Sequence, residues 1–128
     1  MLQQISSHIR VKAVPTYLNE QLRHGNRDHV FTYQIEIENR SKYPVKLMSR
    51  YWRIVDAAGY TKNVEGEGVV GRQPILEPGQ IYIYNSAVSI ESELGRMGGF
   101  YTFVELASMQ EFDVTIPDFD LVVPAILN

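Results

Sequence analysis

The sequence contains no cysteine, and this absence excludes thiol nucleophiles, thiolate metal ligands and disulfide bonds together. It also lacks any apolar run near the roughly 20 residues of a membrane-spanning helix. Its first residues, MLQQISSHIRVK, lack the basic start and continuous apolar segment of a secretory signal. We therefore expect a cytoplasmic protein that does not insert into a membrane.

An excess of positive charge is also absent, because 12 Lys and Arg residues face 15 Asp and Glu residues, for a formal net charge of -3. Nucleic-acid binding would need a local basic patch, and the sequence shows none. Nucleic acid is therefore not an expected partner. The 128 residues are enough for one domain with a single hydrophobic core, and we expect one domain over residues 1–128.

Alternation of apolar and polar residues is the main structural signal in this chain. In HVFTYQIEIEN, the side chains of Phe31, Tyr33, Ile35 and Ile37 alternate with polar ones, which predicts a half-buried strand. The same reasoning predicts strands over 9–17, 29–39, 45–56, 80–87, 99–106 and 111–116. Short strands at this spacing, separated by turn signals, predict an all-β fold with a single antiparallel sandwich.

Helical patterns are scarce: only residues 17–23 and 89–94 have the composition for a helical turn or two, and neither has a sustained apolar stripe. The segment LMSRYWRIVD, by contrast, carries large side chains on both alternations, as a central strand does. We expect Trp52 to be a core anchor rather than a ligand-stacking residue.

The C-terminal segment DFDLVVPAILN is apolar enough to pack as a last strand, with its remainder across a neighbour. If it is exposed, it favours a homo-oligomer formed through this tail.

The run VEGEGVVGRQP contains Gly66-x-Gly68-x-x-Gly71, the spacing of dinucleotide-binding loops. Such a loop must open a helix, and Pro74 and Pro78 prevent one from starting. The glycines could still direct backbone N–H groups at a small anion, with Arg72 and Lys62 as counter-charges. The alternative is a tight β connection that needs positive φ or close packing.

Negative charge inside this loop weakens the anion hypothesis. Glu65 precedes Gly66, and Glu67 lies between Gly66 and Gly68. Each like-charge contact at about 4 Å costs about 4 kcal/mol at an effective dielectric constant near 20. Pyrophosphate or nucleotide binding at Gly66, Gly68, Gly71, Arg72 and Lys62 is therefore the second hypothesis for this chain.

Other polar groups do not form a catalytic pattern. His24, Asp28 and His29 have metal-binding side chains, but neighbouring arginines favour a polar surface loop. Acidic pairs such as Glu111 and Asp113 show ordinary solvent-facing alternation. Serines have no recognisable base partner. We therefore expect no enzymatic activity, no catalytic residue, no resident metal and no cofactor.

Tyrosines alternate with isoleucines over residues 81–84, so one of the two sets faces outward. Tyrosine suits a recognition surface because it buries a large area and keeps a hydroxyl group for hydrogen bonding. Tyr82 and Tyr84 are thus candidates for a protein-interaction surface. The alternative, that they cover the sheet, stays open.

Four segments, SRYWRIVDAAG, VEGEGVVGRQPILEPG, GRMGGFY and FDVTIPDFDL, together resemble the bacterial ApaG family. The resemblance extends over nearly the whole chain in the right order. It implies a β-sandwich similar to fibronectin type III domains, with Gly66, Gly68 and Gly71 in the family's GxGxxG motif and no established catalytic residue to transfer.

The resemblance also implies a role in interactions, since similar modules occur in some eukaryotic F-box proteins and in a polymerase-interacting protein. Bacterial members are linked to cobalt resistance and magnesium efflux, and their gene often lies beside that of a diadenosine tetraphosphate hydrolase. A chain that cannot cross a bilayer would affect efflux only indirectly. The leading hypothesis is therefore a non-enzymatic module that binds a protein partner of unknown identity.

This chain departs from the usual family pattern at three positions. Tyr51 stands where SRHW has histidine, and Gly98 and Phe100 replace residues that are often basic or polar. An anion or metal function that relied on those side chains would be doubtful here.

Overall fold

The computed structural model describes residues 2–124 and contains two antiparallel sheets packed face to face. The elements are α1 (Leu2–Ser7), β1 (Ile9–Arg23), β2 (Asn26–Asn39), β3 (Val45–Asp56), β4 (Thr61–Glu67), β5 (Ile75–Leu76), β6 (Ile81–Ile90), β7 (Leu94–Glu105) and β8 (Gln110–Val122). One sheet has the order β1-β2-β6, and the other has the order β4-β3-β7-β8 with β5 also paired to β3. The predicted all-β sandwich is confirmed.

Period-two alternation places the core between the sheets. Along β2 the apolar side chains Phe31, Tyr33, Ile35 and Ile37 are all buried, as the alternation predicted. Trp52 on β3 is 2% exposed, and its ring contacts those of Tyr33, Tyr101 and Phe119 at centroid distances of 5.4, 6.4 and 6.0 Å. The expected packing role of Trp52 is thus confirmed.

Neither of the two segments with a weak helical composition forms a helix. Residues 17–23 continue β1, and their pairing with β2 runs as far as Arg23 and Asn26. Residues 89–90 end β6, and Leu94 already begins β7. Long-range strand pairing therefore overrides weak local propensity here. Helix α1 and strand β4 were not anticipated, because α1 is short and β4 includes the glycine that made the segment read as a loop.

The C-terminal segment extends β8 past Pro117, which an edge strand tolerates. Leu121 and Val123 are buried in the core of their own chain. These apolar side chains are therefore not available for self-association. The last four residues, 125–128, on which the tail-mediated homo-oligomer also depends, lie outside the described residues.

The two sides of the sandwich are closed differently. On one side β1 lies close to β8, and helix α1 contacts β8, with Ser6 Oγ donating to the Asp113 carbonyl at 2.8 Å. On the other side are the edge strands β6 and β4, which each pair with one neighbour and not with each other. If the strands are counted from the side where β1 meets β8, the first sheet has three strands and the path β8-β7-β3-β4 has four. Strand β4 therefore has no strand of the first sheet opposite it.

Candidate functional site

A cleft of about 680 Å³ lies on this open side, between β6 and the inner face of β3 and β4. Strand β6 supplies the wall formed by residues 86–90, and the β1–β2 hairpin reaches one end of the cleft. The side chains lining it that matter below are Tyr33, Arg50, Trp52, Ile54, Asp56, Tyr60, Lys62, Val64 and Val88. It thus combines apolar side chains with charged ones of both signs.

Cross-strand register explains why two cations face this cleft. On β3 and β4, Trp52 pairs with Val64 and Ile54 pairs with Lys62. Because directly opposed residues of an antiparallel pair share a face, the buried Trp52 and Ile54 show that Val64 and Lys62 face inward. Arg50 lies two residues before Trp52 and also belongs to the inner face.

Gly66 makes room for the Arg50 side chain. It pairs with Arg50 across the two strands, and a Cβ built on Gly66 would stand 2.8 Å from Arg50 Nη1. From this position Nη1 donates to the carbonyl oxygens of Glu67 at 3.1 Å and Gly68 at 3.0 Å. The loop therefore presents carbonyl groups to a guanidinium, which is the opposite polarity from an anion-binding nest.

Tyr33 and Arg50 lie together in the lining of the cleft. Burial raises the pKa of Tyr33, while Ser86 and the positive charge of Arg50 act in the opposite direction. Tyr33 is 6% exposed, so its phenol group stays neutral beside the arginine. Arg50 thus brings a cation next to neutral polar groups.

Asp56 closes the far end of the cleft and is already satisfied by hydrogen bonds. Its carboxylate accepts from the N–H of Ala58 at 2.9 Å, from the N–H of Glu91 at 2.7 Å and from the Ser92 hydroxyl. Burial alone would raise the pKa of Asp56, but these bonds hold it below its ordinary value. Asp56 therefore ties β3 to the β6–β7 connection.

The glycine run forms a tight turn after β4. Val69 N–H donates to the Arg72 carbonyl at 2.7 Å, and Arg72 N–H donates back to Val69 at 3.0 Å. Val70 and Gly71, between them, both have positive φ, 49° and 76°, as a type I′ turn requires. Gly68 N–H donates to the Met48 carbonyl at 2.8 Å. Three N–H groups that an anion would need are thus engaged with carbonyl groups.

The five anion-site candidates are therefore not in one place. Lys62 lines the cleft, Gly66 lies under Arg50, and Gly68, Gly71 and Arg72 belong to the turn. The described residues do not assemble these five into one cradle.

The proposed tyrosine surface needs a correction. Tyr84 is only 7% exposed, and its hydroxyl is hydrogen-bonded to that of buried Tyr101. Tyr82 is half-buried against the core. The outward side chains of this strand are instead Ile81 and Ile83, each 51% exposed. The tyrosines face inward because they extend the aromatic core between the sheets.

The histidine segment is held by other partners. His29 is buried, with Nδ1 3.2 Å from the Tyr17 hydroxyl, and Asp28 faces Arg23 at 4.0 Å. His24 lies in the β1–β2 turn with φ 51°. Over residues 2–124, no three histidine or carboxylate side chains come together in an arrangement that could hold a metal ion.

The departures from the family pattern at Tyr51 and Phe100 prove to be neighbours. These residues pair across β3 and β7, and their rings stack at a centroid distance of 5.1 Å. Tyr51 precedes buried Trp52, so the stack lies on the outer face of the sheet, away from the cleft.

Sequence reasoning missed Tyr60, Val64 and the edge of β6 as parts of the site. The alternation of Lys62, Val64 and Gly66 is a usable strand signal, but the glycine run that follows it also fits a loop. The other signal in the sequence is the absence of charged residues over residues 81–90. This absence points to a binding edge only once the structure shows that β6 lies at the edge of its sheet.

Comparisons with known proteins agree along nearly the whole chain. The ApaG domain family matches residues 19–105. Protein ApaG from Proteus mirabilis is 37% identical over 123 residues, which are 96% of this chain and 98% of that protein. An X-ray structure of a structural-genomics target has a TM-score of 0.91 at 34% identity, with coverage of 97% of this chain and 93% of that one.

A second solved structure, of a Bordetella pertussis protein described as ApaA, has a TM-score of 0.83 at 34% identity and covers 91% of this chain and 94% of that one. In the part of the chain that the structure describes, no helix is both long and apolar enough to cross a membrane.

Proposed function

This chain belongs to the ApaG family, and from that premise we propose that it is a non-enzymatic binding module that receives a polypeptide partner on the open side of its sandwich. The observation that carries the proposal is the cleft of about 680 Å³ beside an unpaired strand edge. Concave sites with apolar walls and a few directed polar groups are typical binding sites.

The chemistry of the cleft supports binding rather than turnover. Its acidic side chain with the most hydrogen bonds, Asp56, is engaged by backbone N–H groups and by Ser92, so it is poorly placed to accept a substrate proton. Lys62 and Arg50 offer fixed positive charge, which gives a partner orientation and specificity. Under this proposal the family's link to cobalt and magnesium is indirect and acts through the partner. A cytoplasmic location stays a prediction.

Site-specific photo-crosslinking tests this function. A photoreactive phenylalanine analogue would replace Tyr60, which is 62% exposed in the cleft, or Tyr43, which is 39% exposed and does not line it. In extract of the native cell, we expect the Tyr60 position to give a discrete crosslinked protein that excess unlabelled protein competes away. The same product from Tyr43, or no product from Tyr60, would contradict the proposal.

A second candidate function is the binding of a small anion by Arg50 and Lys62 in the cleft, rather than by the glycine turn. Arg50 and Lys62 lining one cleft is the observation that favours it. Calorimetry against pyrophosphate, ATP and diadenosine tetraphosphate, with and without magnesium or cobalt, tests it. Heat that Lys62→Met abolishes would support this function, and no heat at millimolar ligand would remove it. Ligand turnover in the same samples would overturn the non-enzymatic assignment.

A further inference from the structure

The four long edge strands of the sandwich differ in how they are protected against pairing. Edge strands in natural proteins carry charged residues and proline, which block the addition of another strand. Three of the four follow this rule: β1 contains Arg10, Lys12 and Pro15, β4 contains Lys62, Glu65 and Glu67, and β8 contains Glu111, Asp113 and Pro117. Strand β6, with the sequence IYIYNSAVSI, contains no charged residue and no proline.

The position of β6 adds a second, independent observation. Its sheet is one strand narrower than the path β4-β3-β7-β8, and the cleft occupies the place of the missing strand. A strand hydrogen-bonded to β6 would lie about 4.8 Å from it, opposite β4. It would cover the inward side chain of Val64 and complete the sandwich.

The lining of the cleft indicates the side chains that this added strand would carry. Apolar groups from Val64, Ile54 and Val88 face the gap, so alternate residues of the strand should be apolar. Between them stand the cations Arg50 and Lys62. The Asp56 carboxylate already accepts hydrogen bonds from Ala58, Glu91 and Ser92, and Asp28 faces Arg23. Glu91 lies beside Asp56, its N–H donating to that carboxylate, at the same end of the cleft. Among the described residues, Arg50 and Lys62 have no acidic partner, so they are the charges that an acidic side chain of the added strand would complement.

A second copy of this chain fits the gap poorly. Pairing of two β6 strands about a two-fold axis normal to the sheet would place both sandwiches on the same side of the joined sheet. Because each β4 extends one strand beyond its own β6, it would occupy the place of the other copy's β3. A single extended segment avoids this collision.

We propose that β6 accepts an extended peptide strand from another protein, and that this strand directs one acidic side chain, flanked by apolar ones, at Arg50 and Lys62. The inference rests on the proposed binding function and names the surface and the chemistry of its partner. Main-chain hydrogen bonds to β6 would supply affinity, and the alternate side chains in the cleft would supply specificity.

A displayed library of random twelve-residue peptides, selected on the full chain, tests this inference. Enriched peptides should alternate apolar residues with one Asp or Glu. A synthetic copy with that acid replaced by its amide should bind about tenfold more weakly, since charge-assisted hydrogen bonds are the strong ones. Lys62→Met should remove this difference, whereas Lys42→Met, an exposed lysine that does not line the cleft, should leave it unchanged.

Hydrogen exchange and a matched pair of variants locate the binding edge. The peptide should slow exchange of backbone amides within residues 85–90 at least about tenfold. Asn85→Lys adds a charge to the acceptor strand and should weaken binding about tenfold. Gln34→Lys adds the same charge at the exposed partner position on the central strand and should not.

The inference is overturned if no peptide is enriched, if enriched peptides lack an acid, or if protection appears on β1, β4 or β8. It is also overturned if sedimentation shows that the chain dimerises through β6. If one of these results is obtained and Tyr60 still crosslinks specifically, the proposed binding function stands, but the partner has a different chemistry. If the peptide selection and the Tyr60 crosslinking both fail, the peptide inference and the proposed binding function are both contradicted.

Discussion

The guanidinium group of Arg50 lies directly against Gly66, its cross-strand partner on β4, where any larger residue would contact Nη1 at 2.8 Å. The first glycine of the GxGxxG run therefore leaves room for the side chain of Arg50. That arginine in turn holds the start of the glycine turn through the Glu67 and Gly68 carbonyl groups.

Gly66→Ala should lower the free energy of unfolding by about 1–2 kcal/mol, because the new methyl group displaces Arg50 from its two carbonyl partners. Urea denaturation of Gly66→Ala, Arg50→Met and the double variant measures the coupling. Once Arg50 is absent, Gly66→Ala should cost clearly less. Additive losses in the double variant would show that the two residues act independently.

Val70→Asn should stabilise the protein by about 0.5–1 kcal/mol. Val70 is 61% exposed and has φ 49°, a conformation that strains a β-branched residue but suits asparagine at the first central position of a type I′ turn. Thermal and urea unfolding measure the effect.

Gly71→Ala provides the contrast, since Gly71 has φ 76° and no atom near its missing Cβ. It should destabilise by about 1 kcal/mol through backbone strain alone. If Val70→Asn destabilises instead, the positive φ of the turn is not retained in solution.

Asp56→Asn should lower the free energy of unfolding by about 2 kcal/mol at pH 7, because the carboxylate accepts several hydrogen bonds in a buried position. The folded-state pKa of Asp56 is held below its ordinary value, so its contribution is present above that value and is lost as the pH falls through the folded pKa. Urea unfolding at pH 7, 5 and 3 should show the wild type approaching the variant only below about pH 4. A constant difference down to pH 3 would contradict the assignment.

Tyr84→Phe and Tyr101→Phe should each cost about 1–2 kcal/mol, because either change leaves a buried hydroxyl group without its partner. The double variant should cost less than the sum, since no hydroxyl then remains unpaired.

The Tyr84 and Tyr101 hydroxyl groups should also affect how stability changes at alkaline pH. Burial raises the pKa of both phenols above their ordinary value of 10.0, so their contribution is present below pH 10 and is lost at higher pH. Stability should therefore fall above pH 10, and it should fall less in the double variant. An identical alkaline decline in both proteins would contradict this.

Much of the fold could be predicted from the sequence because strand alternation is a local signal. Residues 29–39 and 45–56 lie within strands, and Trp52 is buried as expected. Residues 18–23 could not be recognised as part of β1, because their strand is exposed over that stretch and shows no alternation. Strand β4 could not be recognised from the sequence because Gly66 within it is typical of a turn. The structure shows that Gly66 instead makes room for the side chain of Arg50, which lies 16 residues earlier in the chain.

The candidate site was predictable only in its parts. Lys62 and Arg50 were recognisable as cations, but their shared cleft results from the register of β3 against β4. The sequence left open whether the tyrosines or the isoleucines of β6 face outward, because alternation defines two faces without stating which one meets the second sheet. The contact of Tyr84 with Tyr101 decides that face, and it links residues on different sheets.

By itself, the sequence determined the all-β class, the alternation of most strands and membership of the ApaG family, because these depend on the local order of residues. Only the tertiary structure decided that Gly66 accommodates Arg50, that Tyr84 is buried and that uncharged β6 lies at an open edge beside a cleft. The physical reason is that edges, faces and clefts arise from pairings between strands far apart in the chain, such as β2 with β6 and β3 with β7.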